Sequence, residues 1–212
     1  MTENRSDAQT PGSAEDDRVA QAEQTVASNP DSANAHYNLG LALAKRGDRD
    51  RSKEEFRKAL KLKPGLLEAR VNLGTVLMQE GDYDGCINEI LKALEFRPDL
   101  IEGVISIGIA YVQKGMTDLA EDSFNKALKM NPRSMTAHVN LGNIYLVKGD
   151  INRSIEHNMK AIEIDPRFPM AHNNLAVAFH YKGDNEKARE HMNQALNLGY
   201  QVDPEFTKLV NG

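Results

Sequence analysis

The sequence predicts an all-α solenoid of stacked helical hairpins, and three observations carry that prediction. Five of the eight prolines, Pro30, Pro64, Pro98, Pro132 and Pro166, stand 34 residues apart. Five glycines, Gly47, Gly81, Gly115, Gly149 and Gly183, keep the same step. Between these markers, apolar residues recur at the spacing of one helix face. Such a period marks units that cannot bury their apolar faces alone and must stack.

Composition removes most alternatives. The chain has 212 residues, 40% of them hydrophobic, and a formal charge of −5. That balance argues against a nucleic-acid binder. The lone cysteine, Cys86, excludes an internal disulfide. No apolar run approaches the roughly 18 residues of a membrane span. The first residues carry no apolar stretch of the kind a secretory leader needs. A soluble, cytoplasmic chain is expected.

The elements follow in order. Residues 1–17 are polar and acidic and read as a disordered tail. Residues 18–32 place Val19, Ala22 and Val26 at helical spacing and end at Asn29-Pro30. They read as a half-unit that caps the first full unit. Five units follow, 33–66, 67–100, 101–134, 135–168 and 169–202. In the first, Leu39, Ala42 and Leu43 form one helix face and Phe56, Ala59, Leu60 and Leu62 the next. Gly47 ends the first helix in a conformation that favours glycine, and Asp48 starts the second. Pro64 ends the second helix because it has no N–H to donate. The series Gly40, Gly74, Gly108, Gly142 and Ala176 is small because two helices cross closely there. Residues 203–212, opened by Asp203-Pro204, read as a capping helix with Phe206, Leu209 and Val210 as its apolar face.

These positions resemble the tetratricopeptide repeat family. The first unit shows His36, Leu39-Gly40, Leu43, Ser52, Phe56, Ala59 and Pro64 at the places of its motif. The other four units keep that pattern, although none has the usual aromatic where His36 stands. Asn158 departs further: it replaces the large apolar residue of the second helix and is expected to be partly exposed or locally hydrogen-bonded. The resemblance implies a right-handed superhelical solenoid whose first helices line a concave groove.

By that resemblance the groove carries Tyr37, Val71, Ile105, Val139 and Asn173 at one level. Leu41, Thr75, Ile109, Asn143 and Val177 form the next level, and Ala44, Met78, Val112, Leu146 and His180 the third. Lys45, Gln79, Gln113, Val147 and Tyr181 form the fourth. This mostly apolar stripe is either a binding site or packing against the neighbouring unit. Before each Leu-Gly stands Asn38, Asn72, Ser106, Asn140 or, before Leu-Ala, Asn174. The amides resemble the asparagine ladder of O-linked N-acetylglucosamine transferase repeats, which grips peptide backbone. Equally, they can bond within their own or the next helix.

Other chemistry finds little support. The places that resemble a carboxylate-clamping variant of the family hold Tyr37, Leu41, Asn72, Glu102 and Ser106, of which only Asn72 fits. No two of the six histidines are spaced to share a helix face, so no metal is expected. Cys86 lies in a small-residue series with Ser52, Ala120, Ser154 and Ala188 and reads as an inert core thiol. No cofactor is expected, and no acid–base pair lies in the groove. The expected function is a non-catalytic scaffold or adaptor that binds a partner's peptide in the groove, in the assembly of a larger complex. The alternatives are a self-associating homo-oligomer and, third, the binding subunit of a transferase.

Overall fold

The computed structural model describes residues 14–211, which form α-helices joined by short turns. The chain divides into two compact units, the first ending at Phe96 and the second beginning at Arg97. The first contains α1 (Ala14–Ser28), α2 (Ala33–Arg46), α3 (Arg49–Leu62), α4 (Leu67–Gln79) and α5 (Tyr83–Phe96). The second contains α6 (Ile101–Gln113), α7 (Thr117–Met130), α8 (Met135–Val147), α9 (Ile151–Ile164), α10 (Pro169–Tyr181), α11 (Asn185–Asn197) and α12 (Pro204–Asn211).

The expected tail needs a correction at its end. Residues 1–13 lie outside the described residues, but 14–17 are already helical. Glu15, Asp16 and Asp17 fill the first turn of α1, where the helix dipole favours carboxylates. Asp16 also meets Arg46 at 3.5 Å. Further along, Val19 of α1 packs on Leu39 and Leu43 of α2 and covers their apolar face.

Every hairpin turn holds a glycine in the left-handed region. Gly47 adopts φ +88°, and the following Asp48 N–H returns to Leu43 O at 2.9 Å. The Asp48 carboxylate then accepts from Arg51 N at the start of α3. Asp150 and Asp184 cap α9 and α11 in the same way. Within the hairpins, a methyl group on Gly40 would stand 2.7 Å from the Phe56 ring, and on Gly108 2.8 Å from that of Phe124. Phe56, Ile90, Phe124 and Met192 are buried against these small residues. At the end of the second unit, Val210 of α12 joins Leu175, Ala176, Phe179, Ala188 and Met192.

Asn158 is where the expected pattern gives way. It is 0% exposed, so the expectation of partial exposure is corrected. The expected local bond is present: Asn158 Nδ2 donates to Ser154 O at 2.9 Å. Its amide faces Gly142, where a Cβ would collide with it.

Candidate peptide-binding surface

Four of the five first helices carry a polar tether at their foot, and in the fifth, α6, buried Val104 takes its place. His36 Nε2 donates to Pro30 O at 2.9 Å, and its Nδ1 meets Glu55 Oε2 at 2.5 Å. Burial pushes the Glu55 carboxyl up, but bonds from His36 and Lys58 outweigh it and hold it below its ordinary value. Arg70 repeats the arrangement with Pro64 O and Glu89. In the second unit His138 Nε2 donates to Pro132 O at 3.0 Å, and its Nδ1 stands 3.1 Å from His157 Nδ1. His172 does the same with Pro166 O at 2.9 Å and His191 at 3.1 Å. Each tether joins residues 19 apart, a spacing visible in the sequence but longer than the one that places two side chains on one helix face. Among the described residues no three acidic, His or Cys side chains converge on a metal position.

These tethers help to fix the roll of α2, α4, α8 and α10 and so which side chains face outward. In the first unit α2 and α4 touch. Tyr37 tilts on Phe56, their centroids 6.0 Å apart, and accepts from Asn72 Nδ2 at 3.3 Å. Leu41, Val71 and Met78 are half-buried, while Thr75 is exposed and donates to Val71 O. In the second unit α8 touches both α6 and α10. Ile105, Ile109, Val112, Leu146 and Val177 are half-buried there, and Asn143 is exposed. Leu146, Val177 and Tyr181 come together with Val147, Gly149 and Ile151 around an open pocket of about 420 Å³. Val147 and Tyr181 rise from its edge, 73% and 69% exposed.

Two expectations about the groove change. Val139 is 2% exposed and packs with Ala161, Ala171, Ile162 and Phe168, so it is a packing residue that no ligand reaches. The asparagines also differ from a set of outward-facing rungs. Asn72 and Asn140 donate to Glu68 O at 2.7 Å and Thr136 O at 2.8 Å, four residues back in their own helices. Ser106 donates likewise to Glu102 O at 2.8 Å. Asn174 donates to Asn158 Oδ1 at 3.3 Å. Asn38, exposed on α2, has no hydrogen-bond partner among the described residues.

Cys86 is buried, and burial, with the nearby Asp82 charge, pushes its thiol up to about 11. A thiol held protonated is a poor nucleophile. No helix among the described residues is long and apolar enough to cross a membrane.

Comparison with known proteins follows this geometry. A structure of MamA superposes with a TM-score of 0.68 at 25% identity, covering 76% of this chain and 94% of that one. YrrB, described as a TPR protein with an unusual peptide-binding site, gives 0.68 at 21% identity, covering 91% and 98%. PilF of Pseudomonas aeruginosa gives 0.77 at 16% identity, covering 92% and 88%. A search of curated protein sequences returns no match. The family model for the Cilia and flagella-associated protein 70 middle TPR-like domain matches residues 16–198. With the model spanning most of its length, the chain belongs to that family of tetratricopeptide-type repeats.

Proposed function

We propose that the protein is a non-catalytic interaction scaffold that holds a peptide segment of a partner on the first-helix faces of its repeats. The carrying observation is the face of the second unit. Ile105, Ile109, Val112, Leu146 and Val177 leave apolar surface in water, and Val147 and Tyr181 rim a pocket lined by no charged side chain. An apolar pocket with a rim tyrosine suits an aliphatic or aromatic anchor of a bound segment. The peptide-binding site attributed to YrrB, which shares the fold, is in line with this reading. In that role the protein serves as an adaptor within a larger assembly.

Val147→Glu with Tyr181→Glu tests the face without entering the core. Soluble peptides selected from a short random library on the wild-type chain should lose about tenfold or more in affinity for the double variant. Unchanged affinity removes this face from the binding site.

A further inference from the structure

We propose that the cleft between α1 and α2 seats an aspartate or glutamate side chain of the partner segment. The inference rests on the peptide-binding reading and adds a second recognition chemistry to it. The cleft has a volume of about 340 Å³ and is lined by Arg18, Gln21, Thr25, Asn38, Leu41 and Lys45, with Ala22 and Ala42. Two of these side chains are cationic and none is acidic.

The cations stand apart from their neighbours in how they are paired. Arg46, next in sequence to Lys45, meets Asp16 at 3.5 Å and Asp48 at 3.0 Å. Arg51 meets Glu23 at 2.6 Å. Lys45, in contrast, is exposed and has no acidic partner among the described residues. Among the described residues Arg18 reaches only Glu15, at 4.0 Å, with both side chains well exposed. Because α1 and α2 are joined by a short turn and run back along each other, Arg18 and Lys45 fall at the same end of the cleft.

The remaining lining completes the chemistry. Among the described residues nothing engages the Asn38 amide, while Asn72, Asn140 and Asn174 spend a donor inside the protein. A carboxylate is an acceptor with about four lone-pair sites. Ammonium, guanidinium and amide donors around one cleft match it, and bonds between charged groups are the stronger kind. Leu41, Ala22 and Ala42 offer apolar contact to the methylene groups that carry the carboxylate. The pocket of the second unit, in contrast, has no charge in its lining. The positions that resemble a terminal-carboxylate clamp hold Tyr37, Leu41, Asn72, Glu102 and Ser106, two of them apolar or aromatic and one acidic. The cationic cleft between α1 and α2 shares only Leu41 with those positions, and its ligand is a side chain within the segment.

The test uses the full chain. Short random peptides displayed as N-terminal fusions, and so without a free C-terminus, are selected on the wild-type protein. The recovered peptides are then made with amidated ends, and fluorescence anisotropy is measured against wild type and Arg18→Gln/Lys45→Gln. Both substituted residues are exposed, and circular dichroism checks that the helices are kept. Recovered peptides should be enriched in Asp and Glu. The double variant should weaken them about tenfold. Replacing the peptide's Glu by Gln should cause the same loss, with no further loss when both changes are combined. Raising salt from about 0.05 M to about 0.5 M should weaken wild-type binding and leave the variant nearly unchanged.

Peptides that bind both proteins equally overturn the cleft and leave the groove reading standing. A selection that yields no binder overturns both. A gain seen only with a free C-terminal carboxylate, and dependent on Lys45, overturns the side-chain assignment in favour of a chain end.

Discussion

Asn158 Oδ1 accepts a hydrogen bond from Asn174 Nδ2 at 3.3 Å, which ties the second helix of the fourth hairpin to the first helix of the fifth. The equivalent positions of Asn158 in the other hairpins hold Phe56, Ile90, Phe124 and Met192, all apolar and buried. A buried amide with partners contributes little net stability, whereas an apolar group of similar shape can contribute more. Leucine has the same number of side-chain heavy atoms as asparagine. Asn158→Leu should therefore stabilise the protein by about 1 kcal/mol, because half-buried Asn174 can turn its amide toward water. Asn158→Ala, which leaves a hole, should destabilise by about 1–3 kcal/mol. Urea unfolding decides between them. A destabilised leucine variant would show that the amide pair holds the α9–α10 interface.

The same pair shows how far the sequence could be read. The 34-residue period located the hairpins, the turn glycines and the close helix crossings, because each depends on residues within one repeat unit. The departure of Asn158 from the apolar series was equally visible. Its full burial was not, since that depends on Asn174 from the next unit. Val139 follows the same rule. By register it belongs with Tyr37, Val71 and Ile105, yet Phe168, the last residue of its own repeat, and Ala171 of the following one close over it. The asparagines show the limit from another side. Their spacing is plain in the chain, but a side-chain amide near its own helix backbone finds the carbonyl four residues back. The histidine tethers join residues 19 apart on two helices, so a one-helix spacing does not reveal them.

Ser154 Oγ is buried without a hydrogen-bond partner. Ser52, at the same place in the first hairpin, donates to Gly40 O at 2.8 Å. Ala120 and Ala188 occupy that place in two other hairpins, fully buried. Ser154→Ala should accordingly stabilise by up to about 1 kcal/mol, through loss of an unsatisfied hydroxyl. A loss of stability in thermal unfolding would mean that the hydroxyl has a partner in solution. Since Ser154 O already accepts from Asn158, this change and Asn158→Leu should not add independently.

Met116 occupies the N-cap of α7 and makes no side-chain capping bond. Asp48, Asp150 and Asp184 stand at the corresponding places, and each accepts from a backbone N–H. Met116 is also 42% exposed, so its side chain gains little from burial. Met116→Asp should raise stability by about 1 kcal/mol by supplying the missing acceptor. A variant no more stable than wild type would indicate that Met116 packs more fully in solution than its exposure indicates.

The paired histidines predict an acid-sensitive second unit. Pro132 O can only accept, so His138 Nε2 carries a proton and its Nδ1 is left to share one proton with His157 Nδ1. Two imidazolium rings in this arrangement would set N–H against N–H. Burial, followed by the charge of His138, lowers His157 to about 4, and burial lowers His138 and His191 as well. A histidine is near 6.5 in the unfolded chain, so between roughly pH 6.5 and 4 the unfolded state binds more protons. Stability is then full above about pH 6.5 and falls as pH drops toward 4. Allowing for the solvent-facing edge of the ring, the His157 share is about 1–2 kcal/mol. His157→Glu would convert the pair into the His36–Glu55 arrangement of the first unit. A carboxylate there removes the His157 contribution and favours a charged His138, so the slope between pH 7 and 5 should become shallower. Urea midpoints measured at steps across that range decide the matter: equal slopes in wild type and variant would show that the His138–His157 contact does not govern the acid response.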